Sequence, residues 1–223
     1  MRSIKAVVFD MDGTLLDTEK VYQKAWREAA QHMGFTQVEE ALAACTGCNG
    51  ADTRKYFEQT YADVVDYDAY TVLRNQLYEE AIERDGLELK VGAREMLQWL
   101  KERGIMIALG TSTLPPRVPQ NLERAGLTEY FDVVVTGDMV QKGKPDPETF
   151  LTAAQLLGIA PENCLGVEDS FNGVRALHAA GMYTVMVPDL LQPDAEILSL
   201  ADQVCATLLE VKTLVEKINQ WEV

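Results

Sequence analysis

The feature that most limits how this chain can fold is a set of short apolar runs, each ending abruptly in polar residues. The first run, Ala6-Val7-Val8-Phe9, stops at Asp10-Met11-Asp12-Gly13. Its hydrophobicity is continuous rather than alternating, which is typical of a strand covered on both faces of a parallel sheet. Four more runs have this form, at 105–109, 131–135, 164–167 and 183–187. We expect these strands to share one polar edge.

Helical patterns lie between the apolar runs. The segments 92–103, 147–157 and 172–180 each carry an apolar stripe or a small-residue face and are each followed by glycine, a common helix stop. Strands and helices that alternate in this way predict βαβ units with right-handed crossovers. The predicted fold class is therefore α/β, a Rossmann-like parallel sheet with helices on both faces.

Residues 17–86 interrupt this alternation with an almost wholly helical pattern. Apolar residues recur every four positions from Val21 to Met33, and a second helix is predicted over 67–84. We interpret this stretch as a small all-helical cap domain inserted after the first strand. Residues 1–16 and 87–223 then form the α/β core domain.

Charge and composition narrow the range of partners. Asp and Glu outnumber Lys and Arg by 35 to 20, which gives a formal net charge of −15. Such a surface repels nucleic acid and anionic lipid, so neither is expected as a partner. The sequence contains no run of 18 apolar residues, so no membrane span is expected. It has four cysteines and no signal-peptide pattern, which favours a cytoplasmic location. A monomer is the default expectation.

Polar residues with catalytic potential follow the predicted strands. Asp10 and Asp12 on their own are equally typical of a solvated turn. Thr111-Ser112, Lys144 and Glu168-Asp169, however, also follow apolar runs or lie in the loops after them. Ligands of such sheets bind at the carboxyl edge, so we expect these groups to converge there.

These residue types suit phosphoryl transfer. The Asp10 carboxylate is ionised at neutral pH and can attack phosphorus without a base, which would give an aspartyl-phosphate. A divalent cation is then needed between two anions, and Mg²⁺ suits a site of few carboxylates. The predicted ligands are Asp10 and Asp169, the backbone carbonyl of Asp12, and Glu168 either directly, through water, or only as a neighbour of the ligands.

The remaining groups have distinct predicted roles. Lys144 places a positive charge beside the transferring phosphoryl group, and Thr111 with Ser112 and nearby amides binds its oxygens. Asp12 is free to protonate the leaving oxygen and later to accept a proton from water. The expected substrate is a small phosphorylated metabolite.

Four motifs carry a resemblance to a known family. They are Phe9-Asp10-Met11-Asp12-Gly13-Thr14-Leu15, Gly110-Thr111-Ser112, Gly143-Lys144-Pro145-Asp146-Pro147 and Gly166-Val167-Glu168-Asp169-Ser170. In this order they resemble the haloacid dehalogenase superfamily, which implies a Rossmann-like core, an aspartyl nucleophile and Mg²⁺. The helical insert resembles that of the branch containing β-phosphoglucomutase and many small-metabolite phosphatases. Asp12 argues against dehalogenation, since true dehalogenases lack the second aspartate and the metal.

The insert departs from the mutase pattern. Tyr22 and Arg74 stand near positions where the mutase branch has a histidine and a lysine, and the loop 46–50 lacks the expected sugar-phosphate arginine. A phosphatase is therefore favoured over a phosphomutase, with Arg74 and Asn49 as candidate substrate contacts. A non-catalytic phospho-aspartate switch is a third interpretation, which the motif order disfavours.

Overall fold

The computed structural model describes residues 3–46, 48 and 50–220. The chain divides into two compact units: Met1–Asp17 with Glu88–Val223, here called the core unit, and Thr18–Leu87, here called the helical unit. Within the core unit the Asp17 N–H donates to the Glu88 carbonyl at 2.9 Å. This bond pairs the two segments of the core unit where the insert interrupts them.

The described part of the core unit forms a six-stranded parallel sheet in the order β3-β2-β1-β4-β5-β6. The strands are β1 (Ala6–Phe9), β2 (Met106–Gly110), β3 (Val133–Val135), β4 (Cys164–Glu168), β5 (Tyr183–Met186) and β6 (Gln203–Val204). The first strand lies in the middle, with β2 on one side and β4 on the other. The chain reverses its direction of travel across the sheet between β3 and β4, which makes the edge near β1 a topological switch point.

Helices lie in both units, and those of the core unit pack against its sheet. The helical unit holds α1 (Thr18–Met33), α2 (Val38–Cys45), α3 (Gly50–Thr60) and α4 (Tyr67–Asp85); the core unit holds α5 (Ala93–Glu102), α6 (Arg117–Ala125), α7 (Glu148–Leu157), α8 (Phe171–Ala179), α9 (Ala195–Leu200) and α10 (Leu208–Ile218).

On one side of the sheet, Val8 and Ala108 pack against Phe150 of α7 and Leu177 of α8. Val7 and Ile107 alternate with these residues along the strands and are also fully buried. This confirms the predicted Rossmann-like α/β fold.

The helical unit has an aromatic core of its own. Trp26, Phe35, Phe57 and Tyr70 lie in one buried cluster, with ring centroids 5.6–5.8 Å apart in the contacting pairs. The Tyr70 hydroxyl donates to the Trp26 carbonyl at 2.8 Å and so satisfies its polar end. None of the described helices of the chain combines the length and apolar character that crossing a membrane requires.

Candidate active site

Three charged side chains meet at the carboxyl edge of the sheet. Asp10 follows β1 and Glu168 ends β4, and these strands are hydrogen-bonded neighbours with Phe9 opposite Val167. Lys144 Nζ lies 2.6 Å from Asp10 Oδ1 and 2.7 Å from Glu168 Oε1. The side chains of Lys144, Asp10 and Glu168 are only 6%, 9% and 1% exposed. The predicted convergence of these motifs is therefore present as a buried, direct contact.

The loop that carries Lys144 is fastened to the start of α7. The Glu148 carboxylate accepts hydrogen bonds from the backbone N–H groups of Gln141 and Lys142, both at 2.9 Å. The Asp146 N–H donates to the Gly143 carbonyl at 3.1 Å and closes a turn around Lys144. These bonds fix the backbone from which Lys144 extends.

Glu168 uses both carboxylate oxygens within the protein. Oε1 accepts from Lys144, while Oε2 accepts from the N–H groups of Asp169 and Ser170 and from the Ser170 hydroxyl, at 2.8–2.9 Å. Ser170 also caps α8 by accepting from the Gly173 N–H. Both carboxylate oxygens of Glu168 thus accept hydrogen bonds from the protein, and Oε1 holds Lys144 in place.

The burial of this cluster changes its protonation. Burial is the largest influence on Asp10 and raises the pKa of its carboxyl to about 8; Lys144 acts in the opposite direction, and Glu168 and Asp12 add to the rise. Burial acts to lower the pKa of Lys144, but the Asp10 and Glu168 carboxylates outweigh burial and raise that pKa above its usual range. Lys144 is thus held as a cation. The Asp10 carboxylate, which the sequence predicts to be ionised at neutral pH, is instead disfavoured by burial, and a further cation beside it would stabilise the ionised form.

The carboxylates beside Lys144 fit a hard divalent cation. Asp10, Glu168 and Asp169 each offer an oxygen within 4.8 Å of the other two. Asp169 is held by the Thr14 hydroxyl, which donates to Oδ1 at 3.1 Å. Gly13 allows this approach, because a Cβ on that residue would lie 2.4 Å from Asp169 Oδ2. An all-oxygen set of carboxylates is the donor type that Mg²⁺ prefers.

Asp12 makes a different contact from Asp10, Glu168 and Asp169. Its Oδ2 accepts a hydrogen bond of 2.7 Å from the hydroxyl of Thr113, which lies just beyond β2. The Thr113 N–H in turn donates to Thr111 Oγ1 at 3.0 Å. This N–H occupies one acceptor site of the Thr111 hydroxyl and fixes the loop after β2. Ser112, between the two threonines, is exposed.

Sequence reasoning missed Thr113, Glu148 and Gly173. Thr113 had a recognisable signal, since the run Thr111-Ser112-Thr113 places a second threonine hydroxyl two residues after the predicted phosphate-binding one. Glu148 and Gly173 matter through contacts with other loops. Those contacts leave no local pattern in the sequence.

In the helical unit, Arg74 is a buried cation. It is 5% exposed, and its guanidinium lies over the rings of Tyr22 and Trp26, 4.8 and 5.1 Å from their centroids. Its Nε has no hydrogen-bond partner in the described part of the chain, and Nη2 lies 3.4 Å from Asn75 Oδ1. Asn49, the other predicted substrate contact in this unit, lies outside the described residues.

Comparison with known proteins establishes the family. The family model for haloacid dehalogenase-like hydrolases matches residues 4–181. A phosphorylated carbohydrates phosphatase of Thermotoga maritima is 35% identical over 181 residues, covering 80% of this chain and 82% of that protein. β-Phosphoglucomutase of Bacillus subtilis is 31% identical over 198 residues, covering 82% and 83%. The crystal structure of CbbY from Rhodobacter sphaeroides in complex with phosphate has a TM-score of 0.79 at 27% identity, covering 93% of this chain and 96% of that one.

The chain therefore belongs to the haloacid dehalogenase-like hydrolases. The resemblance drawn from the four motifs is confirmed. The predicted enzyme class, a phosphoric monoester hydrolase of this family, is likewise confirmed.

Proposed function

We propose that the chain is a Mg²⁺-dependent phosphatase that hydrolyses a phosphomonoester of a small metabolite through phospho-Asp10. The observation that carries this proposal is the buried bridge from Lys144 to Asp10 and Glu168, with Asp169 beside it. Asp10 and Asp169 would hold the cation, with the backbone carbonyl of Asp12. Bound there, Mg²⁺ would reduce the repulsion between the Asp10 carboxylate and the substrate phosphate.

The first step joins Asp10 to the phosphoryl group. An oxygen of the Asp10 carboxylate attacks phosphorus, and the bond from phosphorus to the leaving oxygen breaks. Asp12 donates its proton to that oxygen, so the metabolite leaves as an alcohol. Lys144 and the Thr111 hydroxyl stabilise the negative charge on the non-bridging oxygens throughout.

The second step releases phosphate. Asp12, now a carboxylate, takes a proton from a water molecule that attacks the phosphorus of phospho-Asp10. The bond from phosphorus to the Asp10 oxygen breaks, which restores Asp10 and frees inorganic phosphate. Asp12 thus acts as acid and then as base, as two-step covalent hydrolysis requires.

The helical unit is proposed to supply substrate specificity. Arg74 supports this, because its guanidinium faces aromatic rings and its Nε–H, without a partner in the described part of the chain, can donate a hydrogen bond to an anionic or hydroxyl-rich ligand group. Asn49 stays a predicted contact. The names of the relatives favour a phosphorylated sugar or a related metabolite as the substrate.

A phosphate-release screen tests the proposal. The purified chain is assayed with sugar, polyol and nucleotide phosphates, with Mg²⁺ and with a chelator. We expect release of free phosphate that requires Mg²⁺, that Asp10→Asn abolishes without unfolding the protein, and that Asp12→Asn slows severely. Phosphate release by Asp10→Asn at a near-normal rate would exclude phospho-Asp10.

The product separates the phosphatase from the mutase. The B. subtilis relative named β-phosphoglucomutase makes the comparison necessary. Conversion of a sugar phosphate into its isomer, with little phosphate released, would show that a substrate hydroxyl rather than water accepts the phosphoryl group. Transfer of a phosphoryl group to Asp10 from a phosphate donor, without any turnover, would instead indicate a non-catalytic phospho-aspartate switch.

A further inference from the structure

Thr113 is fixed by three hydrogen bonds at the carboxyl edge of the sheet. Its hydroxyl donates to Asp12 Oδ2 at 2.7 Å, and its N–H donates to Thr111 Oγ1 at 3.0 Å. Its carbonyl accepts from the Gly137 N–H at 3.0 Å. Side chain and backbone are therefore both held, by residues that follow three adjacent strands, β1, β2 and β3.

The close packing of this loop leaves Thr113 little freedom. A Cβ on Gly137 would lie 2.4 Å from the Ser112 carbonyl oxygen, so the loop after β2 approaches the backbone after β3 directly. A β-branched residue such as threonine also has few accessible side-chain rotamers. The position of the hydroxyl is thus set by the sheet edge.

We propose that Thr113 is a positioning residue for Asp12, which rests on the acid and base role proposed for Asp12 above. By donating to Oδ2, the hydroxyl fixes the plane of the Asp12 carboxyl group, and with it the direction in which that group exchanges its proton. When Asp12 gives up its proton to the leaving oxygen, the same hydrogen bond stabilises the carboxylate that forms. Fixed orientation of a catalytic group is a substantial part of its rate effect.

Two aryl phosphates that differ only in the leaving group test this. Phenyl phosphate releases a poor leaving group that needs a proton, whereas p-nitrophenyl phosphate releases a good one that does not. In single-turnover experiments with Mg²⁺, Thr113→Val should slow phenol release by about tenfold or more and p-nitrophenol release by less than about threefold. The half-saturating concentration in these single-turnover experiments should change little for both substrates, because Thr113 is not proposed to touch substrate.

Two companion variants separate positioning from a general loss of structure. Thr113→Ser keeps the hydroxyl and should restore most of the phenol-release rate. Thr136→Val is the matched control, since it removes another threonine-to-aspartate bond, from Thr136 Oγ1 to Asp138, at the end of the neighbouring strand β3. It should leave both rates unchanged.

A double-mutant cycle shows whether Thr113 acts through Asp12. In the Asp12→Asn background, Thr113→Val should cause no further slowing of phenol release. An equal loss in both backgrounds, or equal slowing of both leaving groups, would overturn the inference. If Asp10→Asn is inactive and Asp12→Asn is severely slowed while Thr113→Val behaves as wild type, the positioning role fails and the proposed function stands. If both aspartate variants keep near-normal rates, the proposed function itself fails.

Discussion

The carboxylate of Glu168 fills the space that a side chain on residue 173 would need: a Cβ on Gly173 would lie 1.8 Å from Glu168 Oε1 and 2.3 Å from Oε2. Glycine is thus required for steric reasons rather than for an unusual backbone conformation. Its absence of a side chain lets Glu168 lie against the first turn of α8. The N–H groups of Asp169 and Ser170, just before that helix, donate to Glu168 Oε2 and stabilise the anion. From there Glu168 holds Lys144.

Gly173→Ala should therefore disturb the charged cluster by displacing Glu168. The added methyl group must displace Glu168 or the start of α8, and overpacking of this kind costs about 1–3 kcal/mol. We expect a lower melting temperature and a kcat reduced by about tenfold or more. Thermal unfolding and steady-state kinetics measure these effects.

Gly143→Ala is the matched control for Gly173→Ala. Residue 143 adjoins Lys144, but a Cβ there would meet no atom within 4 Å. We expect the melting temperature and kcat of Gly143→Ala to stay close to wild type. A wild-type melting temperature and kcat for Gly173→Ala would show that Glu168 can move without consequence.

Lys144→Met should lower the chemical rate more than substrate affinity. The variant keeps the length of the side chain but removes the charge that would stabilise the transferring phosphoryl group, so kcat should fall by about 10²–10³-fold with a much smaller change in KM. Lys142→Met is the control, because Lys142 lies in the same loop with its side chain 74% exposed. A kcat for Lys144→Met within a few-fold of wild type would contradict the proposed role.

Mg²⁺ affinity of the metal-free protein should rise with pH. The pKa of Asp10 is raised to about 8, mainly by burial, so below that pH the carboxyl is largely protonated and must lose a proton to bind the cation. The apparent Kd should fall as pH increases from 6 to 8 and level off above. Calorimetric titration at several pH values, in buffers of different ionisation enthalpy, measures both Kd and proton release.

Asp10→Asn is the control for the pH dependence. It should bind Mg²⁺ more weakly and lose most of the pH dependence, since residue 10 can no longer titrate. An affinity that is constant from pH 6 to 8 in the wild-type protein would rule out a raised Asp10 pKa as the cause.

The strands of the core could be predicted because they are buried on both faces. Continuous apolar runs identified β1 to β5 within one or two residues at each end. The strand β6, Gln203–Val204, was missed because two residues are too few to form a pattern. The helix α6 contains a proline, but Pro119 is the third residue of that helix, in the first turn, where proline is tolerated.

The residue types of the site could be predicted, but its connections could not. Asp10, Lys144, Glu168 and Asp169 were found because each follows an apolar run or lies in a loop with a specific motif. Which oxygen each group contacts depends on the strand order and on loop packing, which local sequence does not encode. The roles of these residues, the cytoplasmic location and the monomeric state stay predictions.

Glu148→Ala should weaken the loop that carries Lys144 without abolishing activity. The substitution removes both acceptors for the N–H groups of Gln141 and Lys142, and each such bond contributes about 1 kcal/mol. Lys144 would still be bound by Asp10 and Glu168, so we expect kcat to fall by only about three- to tenfold, with faster hydrogen exchange at 141–143. Glu129→Ala, at an exposed position, should change neither. A loss of kcat as large as that of Lys144→Met would instead indicate that Glu148 contributes directly to the reaction.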